Sequence, residues 1–203
     1  MGRFAIDMAT AVLLVAEGDG DAACAFNLRT RSYITLVPVG EYANTAVFDQ
    51  QKNLFFVSAS GSGTITVIDP SSLTAIATYQ VNADYTDAAI ALDKRTQTLY
   101  MTNAADRLVS YVSATSGKVE GTVTTGKYAY DSATDDPGSD TLFVCNGNSS
   151  VSVIDTTTET LTETIKVGAN TTSAPAASAL DPTLNQVLVT NAGSDTLVFL
   201  KDK

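Results

Sequence analysis

Short apolar runs that alternate with polar residues recur along the whole chain at a nearly fixed spacing. Five share one kind of core: Leu13-Leu-Val-Ala-Glu17, Leu54-Phe-Phe-Val-Ser58, Leu99-Tyr-Met-Thr-Asn103, Leu142-Phe-Val-Cys-Asn146 and Val187-Leu-Val-Thr-Asn191. Their starts are separated by 41, 45, 43 and 45 residues. A second run follows each core, clearest at Thr66-Val-Ile-Asp69 and Ser152-Val-Ile-Asp155. A third alternates Thr, Val and Ile over Ile34 to Gly40, Ala75 to Val81, Val119 to Gly126 and Leu161 to Gly168. A fourth ends each time in Asp: Asp7, Asp49, Asp93, Asp136 and Asp181.

Runs rich in Val, Ile, Thr, Tyr and Phe, with period two and Gly, Asn, Asp, Ser or Pro between them, predict β-strands. No sustained apolar stripe at helical spacing occurs, so helix is not predicted. Four strands in each repeat predict the blade of a β-propeller. The expected fold is all-β: a single-domain five-bladed β-propeller over residues 1–203, built from four-stranded antiparallel blades. The blades fall at 3–40, 44–81, 87–126, 131–168 and 176–201, and the last lacks its outermost strand. The recurrent Asp falls at the tight turns, where its side chain accepts hydrogen bonds from backbone two residues on.

The segment from Leu142 to Pro182 resembles the YVTN-type β-propeller repeat, whose pattern is L-Y-V-T-N, then S-V-I-D-T, then an alternating run ending V-G, then a strand ending D-P. The resemblance covers nearly the entire chain, is best over Asn53 to Asn191 and weakens over residues 1–52. It implies the propeller fold. It implies no single activity, because propellers of this kind serve as surface-layer, periplasmic, binding and enzymatic proteins.

Two outcomes follow from the three-stranded last blade. Either a five-bladed ring closes as it stands, or another chain completes the open edge. The run Leu197-Val-Phe-Leu200 puts Leu197 and Phe199 on that edge, so residues 195–201 are a candidate assembly edge for a homo-oligomer or polymer. Lys201, Asp202 and Lys203 are alternatively charges that guard the edge against such pairing.

Composition narrows the function classes. The 203 residues include 12 basic and 22 acidic ones, a net charge of −10, which disfavours nucleic acid and anionic membranes as partners. The longest apolar stretch, Ala9 to Ala16, is too short for a membrane-inserted helix. There is no His, so His-dependent triads and His-ligated haem, copper or zinc are excluded within this chain. Cys24 and Cys145 sit in apolar segments without metal-ligand spacing.

Two sets of candidate site residues remain. Tyr42, Tyr85 and Tyr128 are spaced by 43 and 43 residues, one in each of the first three loops between blades, beside Glu41, Asp84 and Lys127, while the fourth loop has Thr171 at that place. Exposed rings with neighbouring hydrogen-bonding groups suit a glycan, whose sugars offer an apolar face and a hydroxyl rim; alternatively the rings plug the wedge between blades. The second set is the last residue of each second strand: Glu17, Ser58, Asn103, Asn146 and Asn191. Were they to converge on the channel, they would offer calcium the oxygen ligands it requires. Lactonases of the gluconolactonase type are similar in using Glu, Asn and Asp around a metal in a propeller channel. The plainer reading is that each Asn caps its own loop. The acidic loop Glu17-Gly-Asp-Gly-Asp21 resembles a calcium loop in composition only.

The leading expectation is a non-enzymatic binding or structural module with a protein or glycan ligand. The Thr/Ser/Asn-rich, low-charge surface places it outside the cytoplasm: extracellular, at the cell surface or periplasmic. The alternative is a metal-dependent lactonase-like hydrolase with calcium at the channel mouth.

Overall fold

Successive side chains of a strand point to opposite faces, so the near-continuous apolar runs of the second strands make sheets with two apolar faces, which must be covered on both sides. Blades stacked around an axis meet that requirement. A computed structural model describes residues 4–81, 89–127, 129–168, 175–192 and 194–201. Blade one comprises β1 (Phe4–Asp7), β2 (Val12–Ala16), β3 (Ala22–Asn27) and β4 (Ser32–Pro38). Blade two comprises β5 (Ala43–Asp49), β6 (Leu54–Ala59), β7 (Thr64–Asp69) and β8 (Thr74–Gln80). Blade three comprises β9 (Ile90–Asp93), β10 (Thr98–Asn103), β11 (Leu108–Ser113) and β12 (Val119–Thr124). Blade four comprises β13 (Ala129–Asp136), β14 (Thr141–Asn146), β15 (Ser150–Asp155) and β16 (Thr160–Lys166). Blade five has three strands, β17 (Pro175–Asp181), β18 (Gln186–Asn191) and β19 (Thr196–Lys201). Every sheet is an antiparallel meander in chain order, and the whole is a five-bladed β-propeller, as the repeat pattern predicts.

The innermost turns are built alike. Asp7, Asp49, Asp93, Asp136 and Asp181 each accept the backbone N–H two residues on, at 2.9, 2.8, 2.7, 2.9 and 2.9 Å. Each turn then closes through a left-handed residue: Ala11, Asn53, Gln97, Asp140 and Asn185, with φ between 51° and 60°. The residues paired with these aspartates are Val12, Leu54, Thr98, Thr141 and Gln186. Phe55, rather than Leu54, therefore aligns with Leu13, Leu99, Leu142 and Val187, a correction of one residue in blade two. Leu54-Phe-Phe-Val57 is apolar at every position, so residue type gives no cue to which face each residue occupies.

Register divides each second strand into two faces. Leu14 of blade one packs with Phe55 and Val57 of blade two. Phe56 of blade two packs with Leu99 and Met101 of blade three, Tyr100 of blade three with Leu142 and Val144 of blade four, and Phe143 of blade four with Val187 and Val189 of blade five. These four cores join consecutive blades. Among the described residues none joins blade five to blade one. Leu13 and Val15 of blade one and Leu188 of blade five occupy the corresponding positions and stay only half-buried.

Candidate functional site

The recurrent aspartates are spent on architecture. Asp49 Oδ1 accepts from the backbone of Gln51 and Lys52, and the residue has no exposed surface. Asp93 adds the Thr96 hydroxyl at 2.7 Å, and Asp7 the Thr10 hydroxyl. Replacing Asp49 by Ala strands two turn donors, so we expect a loss of about 1–2 kcal/mol in denaturant unfolding, with Asp49→Asn retaining most of the stability.

The second-strand ends are likewise engaged, each within its own blade or against the one before it. Asn103 donates to Asp106 Oδ2 at 3.0 Å and accepts the Asp106 N–H at 3.2 Å, capping its own loop. Asn146 donates to Ser150 Oγ and Ser152 Oγ at 3.1 and 2.9 Å. Asn191 donates to the Val167 carbonyl of blade four at 3.1 Å. Both of these asparagines lie between blades: a Cβ on Gly126 would fall 2.7 Å from Asn146 Nδ2, and one on Gly168 2.5 Å from Asn191 Nδ2. Each glycine thus makes room for the amide of the next blade, and among the described residues each amide leaves its buried Oδ1 without a hydrogen-bond partner. Glu17 Oε1 accepts the Cys24 thiol at 2.8 Å; burial and then the carboxylate push that thiol up to about 11. Ser58 faces the other side of its strand, Ala59 takes the matching place, and Ser58 Oγ bonds the Thr45 backbone. Among the described residues no group of three or more His, Cys, Asp or Glu side chains is arranged to hold a metal.

Of the three loop tyrosines, Tyr85 and Tyr128 lie outside the described residues. Tyr42 stands at the entry to blade two with φ 55° and is 45% exposed. A Cβ at Gly61 would fall 2.5 Å from Tyr42 Cδ2, so its ring rests on the backbone of that blade's middle loop. The Glu41 and Tyr42 carbonyls accept the Gly61 and Ser60 N–H groups and hold the two loops together.

A polar cluster that sequence reading missed lies between blades three and four, on the tight-turn face. The Tyr100 hydroxyl, almost fully buried, donates to Glu159 Oε1 at 3.1 Å. Burial and then the charges of Asp93 and Asp136 push Asp135 up to about 8, against the smaller opposing effect of Arg95. Burial likewise raises Glu159. Among the described residues Asp135 Oδ1, Glu159 Oε2 and Gln97 Oε1 are buried without hydrogen-bond partners. Arg95 closes the rim on Asp140 and lies 3.8 Å from Asp93. Residues 59 positions apart in sequence meet here, and no local motif marks them.

The remaining site is the surface of blade five. Leu197 and Phe199 on β19 are 48% and 58% exposed, and among the described residues β19 pairs on one side only, with β18. A cleft of about 310 Å³ runs alongside between blade four and Lys201, floored by Phe143, Val153 and Ile165 and rimmed by Asp155 and Glu163.

No family model matches the chain, and no curated protein does. Solved structures do: 1599 chains match, too many for the fold to select one function. One is Kuenenia stuttgartiensis hydrazine synthase, 13% identical, with a TM-score of 0.63 over 98% of this chain and 83% of that one. Another is a chain from a crystal structure of the mitotic checkpoint complex, 15% identical, with a TM-score of 0.81 over 98% of this chain and 60% of that one. At these identities the likeness is one of fold alone.

Proposed function

We propose that this chain is a non-enzymatic β-propeller module that binds protein, working within an extracellular, cell-surface or periplasmic assembly. The observation that carries the reading is blade five: a strand edge without a partner among the described residues, two exposed apolar side chains and, beside it on blade four, an apolar-floored cleft that Lys201 borders. A protein segment that paired with the β19 edge would satisfy its backbone groups and cover the cleft floor in one step. Two further points support it. The polar side chains that suggested chemistry are committed to turns and to the seams between blades. A chain of similar fold takes part in a protein complex, the mitotic checkpoint complex. The Thr/Ser/Asn-rich surface supports the location.

The test places a photo-reactive benzoylphenylalanine at position 199 in the native host, with the same group at Ile76, exposed on blade two, as the control. Protein adducts from position 199 well above those from position 76 are expected. Equal yields from the two positions, or adducts to glycan alone, would contradict the reading.

A further inference from the structure

The seam between blades three and four differs from the other three at matched positions. Tyr100 stands where Leu14, Phe56 and Phe143 stand on the second strands of the other blades, all of them buried. Asp135 pairs with Leu142 as Phe48 pairs with Phe55, Leu92 with Leu99 and Leu180 with Val187. Glu159 closes the turn between β15 and β16 with φ 53°, as Leu73 closes the turn between β7 and β8 with φ 52°. In blade two, Phe48 and Leu73 both pack on the apolar core shared with blade one. Blade four thus turns two carboxyl groups toward blade three where blade two turns a ring and an aliphatic chain toward blade one. Across the seam the buried Tyr100 hydroxyl donates to Glu159 Oε1 at 3.1 Å. Among the described residues Asp135 Oδ1 and Glu159 Oε2 have no hydrogen-bond partner there. A carboxyl group so placed is tolerated neutral and is costly charged.

We propose that this seam is a pH-operated latch: Asp135 is its trigger, the Tyr100–Glu159 hydrogen bond its clasp, and ionisation of Asp135 parts blades three and four while the other seams stay shut. The groups that act on Asp135 set the direction. From blade three they are Asp93 and Arg95, and from blade four Asp136 and Asp140. Glu159 meets Tyr100, Asp93 and Glu120 of blade three and Asp155 of its own blade. Arg95 is the one cation among these groups, and its half-exposed guanidinium is held on Asp140. Burial and the neighbouring carboxylates raise the Tyr100 hydroxyl, so it stays a donor throughout. A carboxylate at position 135 therefore enters a buried field of like charge, and burial first, then Asp93 and Asp136, push that carboxyl up to about 8. Below about 8 the proton stays on and the seam is closed. Above it the charge is relieved when the blades part and water reaches the carboxylate, so opening grows with pH. The other seams hold Phe48, Leu92 and Leu180 at this place and have no proton to lose there.

The test is thiol labelling of the folded chain, with Cys24 and Cys145 replaced by Ala. Val144→Cys puts a thiol in the latch seam, and Val57→Cys puts one at the matched position between blades one and two; both positions are fully buried. Ala91→Cys and Ala5→Cys repeat the pair on the inner strands of the same two seams. Each rate is divided by that of an unstructured peptide thiol at the same pH, so that ionisation of the thiol itself cancels. Between pH 6 and pH 9, protection at position 144 is expected to fall at least about tenfold, and protection at position 57 by less than about twofold. Adding Asp135→Asn should abolish the fall at position 144, and so should Asp135→Leu, which installs the side chain that blades three and five carry there. Circular dichroism at pH 6 checks that each variant is folded. Unchanged protection at position 144 would overturn the proposal. Equal falls at the two positions would overturn it too, since they mean that the whole chain loosens. So would a fall that persists in the folded Asp135 variants, because the proton would then come from elsewhere.

Discussion

Phe56→Ala is expected to cost about 3–5 kcal/mol in equilibrium unfolding, while Leu188→Ala, at the same register position in blade five, costs no more than about 1.5 kcal/mol in the dilute monomer. Phe56 has no exposed surface and fills the seam between blades two and three with Leu99 and Met101. Removing its ring leaves a void that two rigid sheets cannot close, so a cavity cost adds to the lost burial. Leu188 is only half-buried, so less burial is lost and no closed cavity forms. Comparable losses at the two positions would mean that blade five is covered within one chain. The pair therefore tests which seams exist, and not merely whether large apolar side chains matter.

Asp135→Asn should flatten the dependence of stability on pH and make the protein more stable than wild type at alkaline pH. In the folded chain the Asp135 carboxyl is pushed up to about 8, from an ordinary 3.8, first by burial and then by Asp93 and Asp136. A raised folded value means that the native state holds a proton the unfolded chain releases. Its contribution is therefore complete below about pH 4 and is lost as pH climbs through about 8. The neutral amide mimics the protonated acid and removes that dependence. Thermal melts should coincide for the two proteins near pH 3.5 and diverge progressively above it, near pH 9 by on the order of a few kcal/mol in favour of the variant. Parallel pH profiles would show that Asp135 ionises freely in the folded state.

Much of the architecture was legible in the sequence because it is periodic. The Asp that ends each inner strand is read correctly as a turn residue, since its hydrogen bonds reach only two residues along the chain. The strand count and the three-stranded last blade follow from the same repeat. What escaped depends on neighbours distant in sequence. In blade two, an apolar run buried on both faces hides a one-residue slip of register, which moves Ala59 into the place given to Ser58. Asn146 and Asn191 look like channel-mouth ligands in a list of strand ends, yet residues on a second strand point along the ring toward the adjoining blade, against Gly126 and Gly168. The Tyr100–Glu159–Asp135 cluster joins three turns and strands from two blades, and no spacing rule foresees it. Whether the ends of the blade series meet is set by the curvature of four interblade cores, which sequence pattern does not encode.

Amide hydrogen exchange followed by mass spectrometry, with and without the partner captured from position 199, tests the blade-five reading most directly. Before the partner is added, amides of β19 should exchange faster than those of β6, β10 and β14, and they should gain protection when it binds. A β19 as protected as the inner strands before the partner is added, or exchange there that is indifferent to it, would contradict a module that binds protein through blade five.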